Sequence, residues 1–134
     1  MIFTPNGFLK VGGVVLVLVG ILGFVGVLGP TIADSIFGAT WWFDNGENWA
    51  HLILGIVGLI AAFTLSAGMQ KTLVMLLGVI GVLVAIWNVF STDFLGANLE
   101  QHADTILHLV VGVWALVAAL KKPAMMSSGP TMTA

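Results

Sequence analysis

Long apolar runs broken by short polar connections dominate the chain. Leu9–Leu28, Trp49–Ala67, Thr72–Phe90 and Thr105–Leu120 each carry almost no charge. A helix rises about 1.5 Å per residue, so about 20 residues span a hydrocarbon core roughly 30 Å thick. The first three runs meet that length. The fourth is shorter, and Asp104 and Lys121 extend it because side chains at its two ends can reach the interface. The pattern predicts an all-α bundle of four transmembrane helices in one domain, residues 1–134, with a short flexible tail over 123–134.

Apolar side chains gain little by leaving lipid for a neighbouring helix, so small residues mark the faces where membrane helices approach. His51, Gly55, Gly58 and Ala62 share a face of the second run, and His108, Gly112, Ala115 and Ala119 a face of the fourth. Gly78, Gly81, Ala85 and Asn88 mark the third run, and Gly20, Gly23, Val27 and Pro30 the first.

The second half of the chain reads as a copy of the first. His51–Ala62 aligns with His108–Ala119, and six of the twelve positions are identical. Gly20-Ile21-Leu22-Gly23 matches Gly78-Val79-Ile80-Gly81, and Gly38-Ala39-Thr40 matches Gly96-Ala97-Asn98. The offset is 57 for the first match and 58 for the others. Two tandem two-helix repeats follow, about 8–67 and 68–122, inserted the same way up around an axis along the membrane normal. An ancestor that worked as a homodimer would leave such a trace.

Composition narrows the class. Hydrophobic residues make up 59% and charged residues 7%, with a mean hydropathy of +1.11. A soluble domain covers itself with about 25% charged residues. The net charge of −2 and the lack of arginine exclude a nucleic-acid surface. Without cysteine there are no disulfides, thiolate metal sites or thiol catalysis.

The charges also set an orientation. Lys10, Lys71, Lys121 and Lys122 fall at one side of the four-span topology, and Asp34, Asp44, Glu47, Asp93, Glu100 and Asp104 at the other. The positive-inside rule places both termini and the turn between spans two and three in the cytoplasm. Trp41, Trp42, Phe43 and Trp49 then gather at the outer interface, with Trp87 near it, as aromatic anchors do. Thr31–Phe43 reads as a short interfacial helix.

One polar cluster stands at the outer ends. His51 and His108 lie about a turn inside the interface, Asn88 close by, with Glu47 and Asp104 four residues before the two histidines. An acid at that spacing shares the helix face and can orient or charge the imidazole. The structural reading makes the histidines interhelical glue. The ligand reading makes His51 and His108 cofactor ligands, for haem or chlorophyll or for a transition metal, with Glu47, Asp104 and Asn88 behind them. His102 reads as solvated. The inner halves of the spans hold almost nothing polar beyond Thr64 and Ser66, which argues against a transport path. No nucleophile is paired with a base, so no catalytic residue is named.

The run Leu18-Val19-Gly20-x-Leu22-Gly23-Phe24, the motif Asn48-x-x-His51-Leu52-x-x-Gly55-x-x-Gly58-Leu59 and the motif Asp104-x-x-x-His108-Leu109-x-x-Gly112 resemble the domain-of-unknown-function family numbered 4383. That family comprises small bacterial four-span membrane proteins, and the resemblance covers residues 8–120. It implies a four-helix protein of the bacterial cytoplasmic membrane, or of an internal membrane derived from it, and implies no activity. The function expected is therefore a non-catalytic accessory or structural subunit, packed beside other membrane proteins or its own copies. The alternative is a His-ligated tetrapyrrole or metal subunit of a redox or light-harvesting complex, with a small transporter third.

Overall fold

The computed structural model describes residues 1–121 and holds four long helices: α1 (Pro5–Phe24), α2 (Asn45–Thr64), α3 (Ala67–Phe90) and α4 (Ala103–Leu120). Each is long and apolar enough to cross a membrane. The expected tail over 123–134, and Lys122, lie outside the described residues.

Local chemistry fixes where three helices start. Thr4 caps α1 by accepting the Gly7 N–H at 3.1 Å, with Pro5 in the first turn, where a missing N–H costs nothing. Asp44 caps α2 through the Glu47 N–H at 2.8 Å, and Ser66 caps α3 through the Met69 N–H at 3.4 Å. α2 and α3 are joined only by Leu65 and Ser66, so they run antiparallel.

α1 is shifted from the predicted run. It begins four residues earlier and ends at Phe24, so Val27 and Pro30 are not part of its face. Gly26 at φ +80° turns the chain, and the Val27 N–H closes back on the Leu22 carbonyl at 3.0 Å, a glycine-terminated cap. The predicted interfacial helix over Thr31–Phe43 reduces to one 3-10 turn, Gly38–Thr40. A two-stranded hairpin that periodicity does not reveal, β1 (Asp93–Phe94) and β2 (Ala97–Asn98), precedes α4. Leu95 and Gly96 make its turn, both at positive φ, as a tight hairpin requires.

The helices pair as α1–α2 and α3–α4, each pair closed by glycine. A Cβ on Gly55 would lie 2.8 Å from the Gly13 carbonyl oxygen and 2.7 Å from the Val17 nitrogen. A Cβ on Gly112 would meet the Gly78 oxygen at 3.0 Å and the Val82 nitrogen at 2.8 Å. Only glycine allows backbones this close. Between the pairs, Phe8, Leu9, Ala61, Ala62, Val74, Ala115, Ala118 and Ala119 form one buried core toward the lysine-bearing end.

That end is more polar inside than the sequence suggests. Asn6 and Gln70, which lie outside the predicted spans, enter α1 and α3. Gln70 is buried and donates through Nε2 to the carbonyls of Ala62 at 3.1 Å and Leu65 at 2.9 Å. Asn6 Nδ2 donates to the Ala62 carbonyl at 2.6 Å and to Gln70 Oε1 at 3.2 Å. A three-helix clasp results.

Candidate functional site

The opposite end gathers the acids. The start of α2 brings Asp44, Glu47, Asn48 and His51, and α3 ends near Asn88. The segment from β2 into α4 brings Asn98, Glu100, Asp104 and His108. All five residues singled out in the sequence thus stand at this end of the helices. Glu47, Asn88 and Asp104 are buried, with relative exposures of 3%, 0% and 2%. Asp104, Asp44 and Glu100 lie within electrostatic range of Glu47, and His108 within that of His51.

Two crossings tie the helix pairs together here. Asp44 accepts the Glu47 N–H with Oδ1 and, across the interface, the Asn98 N–H with Oδ2, both at 2.8 Å. Trp41 Nε1 donates to Asp104 Oδ1 at 2.9 Å, reaching from the loop before α2 to the start of α4. The other Asp104 oxygen accepts the Glu100 N–H at 2.6 Å. Asn88 Nδ2 donates to the Glu100 carbonyl at 3.0 Å, and Asn98 Nδ2 to Glu100 Oε1 at 2.8 Å.

The carboxylates do not orient the histidines. The His108 Nδ1–H finds the backbone carbonyl of Asp104 at 2.8 Å, not its side chain, which Trp41 and Glu100 occupy. His51 Nδ1 is buried without a partner, and its ring lies 5.0 Å from that of Phe43. Asn88 serves Glu100 rather than either imidazole. The i, i+4 spacing is real, but the backbone carbonyl competes for the same ring nitrogen at shorter reach. His102 is exposed, as expected.

Several polar atoms of this end have no partner among the described residues: both Glu47 oxygens, both amide atoms of Asn48, Asn88 Oδ1 and Glu100 Oε2. Asn48 is fully buried and lies over Gly23 of α1, where a Cβ would collide with it. Burial raises the Glu100 carboxyl above the ordinary carboxylate range, and the Asn98 hydrogen bond only partly opposes this. Sequence reasoning missed Trp41, Asn48, Asn98 and Glu100 as members of the cluster. Asp44, three residues before Glu47 at the head of an apolar run, is a helix-capping pattern from which this junction could have been read.

Beside the cluster an open depression of about 650 Å³ is lined by Pro30, Thr31, Trp42, Asp44 and Gly46 among others. Among the described residues no group of three His, Cys, Asp or Glu side chains is arranged to hold a metal ion. Compared with family models, curated proteins and solved structures, the chain gives no match.

Proposed function

We propose that this chain is a non-catalytic structural or accessory subunit of a membrane, which packs against copies of itself or against other membrane proteins. The observation that carries this reading is how its side chains are divided. Glycine and alanine lie inside the helix pairs, while Leu18, Ile60, Leu83 and Val110 are each more than half exposed, at 54%, 56%, 58% and 59%. Its polar groups mostly bind neighbouring elements of the same chain. The likeness to the family numbered 4383 belongs to this reading, as do cytoplasmic termini and descent from a duplicated hairpin.

The equivalent contacts Gly13–Gly55 and Gly78–Gly112 support that duplication, with one amendment. They align α1 with α3 at an offset of 65, seven residues from the Gly20–Gly78 match, whereas α2 and α4 keep 57. A shift of two helical turns preserves the packed face. The tetrapyrrole alternative draws less support, since Asp104 is taken by the Trp41 indole and the Glu100 N–H, and neither Glu47 oxygen bonds an imidazole.

Photo-crosslinking in native membranes tests the subunit reading. A photoreactive residue at Leu83 or Val110 is expected to capture a second copy or a co-purifying membrane protein in stoichiometric yield. Lipid adducts alone, with a monomer by native mass spectrometry from nanodiscs, defeat it.

A further inference from the structure

Positive charge at the lysine end has no acidic partner in the protein. α1 and α3 begin at that end, and α2 and α4 finish there. It carries Lys10, Lys71 and Lys121, all exposed. All six acidic side chains of the chain stand in the two connections at the far end or in the helix turns that follow them. α1 and α3 have no acid in their first turns, so the positive poles of two helix dipoles add to the lysines. In a chain that spans a membrane, such an end lies at the depth of the lipid headgroups, and the counter-charge comes from outside the protein.

Two of the lysines are held in place by aromatic rings. Lys10 stands five residues past the start of α1, about 8 Å into the helix. Its ammonium lies 4.9 Å from the centre of the Phe63 ring, one residue before the end of α2. Lys121 closes α4, and its ammonium lies 5.8 Å from the centre of the Phe3 ring, ahead of α1. The ring quadrupole attracts a cation at these distances, which fixes the ammonium without neutralising it. Both rings stay open, Phe63 at 74% and Phe3 at 44% exposure. An exposed ring beside an ammonium, at the border between hydrocarbon and headgroup, matches a phospholipid, whose first methylenes lie directly beneath its phosphate.

We propose that the lysine end binds anionic phospholipid at two places, Lys10 with Phe63 and Lys121 with Phe3, the ammonium taking the phosphate and the ring the upper acyl chain. Lys71, exposed in the second turn of α3, strengthens the field that draws such lipids. A zwitterionic headgroup brings its own cation to the same surface, so the net-negative headgroup is preferred. Each lysine near a membrane surface is worth about fivefold in affinity for anionic lipid. The proposal stands apart from the subunit reading, since lipid binds a monomer and an oligomer alike.

The test offers the full chain, in neutral detergent, equimolar phosphatidylglycerol and phosphatidylcholine with identical acyl chains. Retained lipids are counted by native mass spectrometry. Phosphatidylglycerol is expected in about fivefold excess or more. Lys10→Gln combined with Lys121→Gln should abolish that preference, and Phe63→Ala, with every lysine kept, should weaken it about twofold or more. Equal retention of the two lipids overturns the proposal, and so does a preference unchanged in the double variant. A preference unchanged in Phe63→Ala leaves only diffuse charge and removes the two places. Sodium phosphate, set against sodium chloride at matched ionic strength, should leave the bound lipid where it is. Displacement beyond the chloride control makes these sites for a free anion and overturns the lipid assignment. Should the double variant fail to fold, Phe63→Ala and the phosphate competition decide.

Discussion

Gln70 shows how much one side chain can do where water is scarce. The last carbonyls of a helix have no partner inside it, and at the lysine end of α2 those of Ala62 and Leu65 accept the Gln70 amide. Asn6 adds a second donor to Ala62, so α1, α2 and α3 meet on one carbonyl. Such bonds contribute about 0.5–2 kcal/mol each in membranes. Neither residue stands out in the sequence, because a lone amide beside an apolar run gives no sign of which carbonyl it will find. Glu100 offers a prediction at this scale. Burial raises its folded-state pKa above the ordinary 4.5, so the folded chain holds that proton more tightly than the unfolded chain does. The stability this gives is complete below about pH 4.5 and is lost as pH rises through the raised value. Glu100→Gln keeps an acceptor for Asn98 and removes the titration. In chelating buffer the variant should unfold a few degrees higher than the unmodified chain at pH 7, with no advantage at pH 4. Parallel melting curves across that range would refute the attribution.

Helix pairing is where the sequence was most legible. Small residues shared a face with the histidines, and of the residues assigned to α2, Gly55, Gly58 and Ala62 are buried. Their weights differ, however, in a way spacing cannot show. The built Cβ at Gly58 meets nothing nearer than the Leu9 oxygen at 3.7 Å, an ordinary contact, whereas at Gly55 it would press on backbone below 3 Å. Gly55→Ala must therefore push α1 away, at about 1–3 kcal/mol, the usual penalty for overpacking. Gly58→Ala should be neutral or stabilising by up to about 1 kcal/mol through helix propensity. Unfolding in a detergent–denaturant titration checks the pair, and equal losses at both positions would contradict this packing. The β1–β2 hairpin was less legible because its turn uses Leu95 at positive φ, a residue seldom found there. The short strands leave no periodicity to read.

At the scale of the molecule, the two helix pairs are held at both ends by different chemistry. The lysine end has the Asn6–Gln70 clasp above an alanine-rich core, and the acidic end has Asp44–Asn98 and Trp41–Asp104. The sequence placed these acids together at one end because four antiparallel spans return every second connection to the same side. It could not show that Asp104 would bind tryptophan and backbone in place of His108, since that depends on how the loops fold back. The proposed orientation, with the lysine end in the cytoplasm, rests on the same segregation of charge, and the chain suits a test of it, having no cysteine of its own. Leu95, at the hairpin tip, is 93% exposed and far from every packed face, and Lys71 is exposed at the start of α3. In intact cells a membrane-impermeant maleimide should label Leu95→Cys readily, and Lys71→Cys only after the membrane is opened. Both positions lie in surface segments whose backbone bonds do not involve the replaced side chains, so folding is preserved in each variant. Labelling of Lys71→Cys from outside would invert the protein, place the acidic cluster against the cytoplasm and remove the outer tryptophan belt from the face it is assigned to.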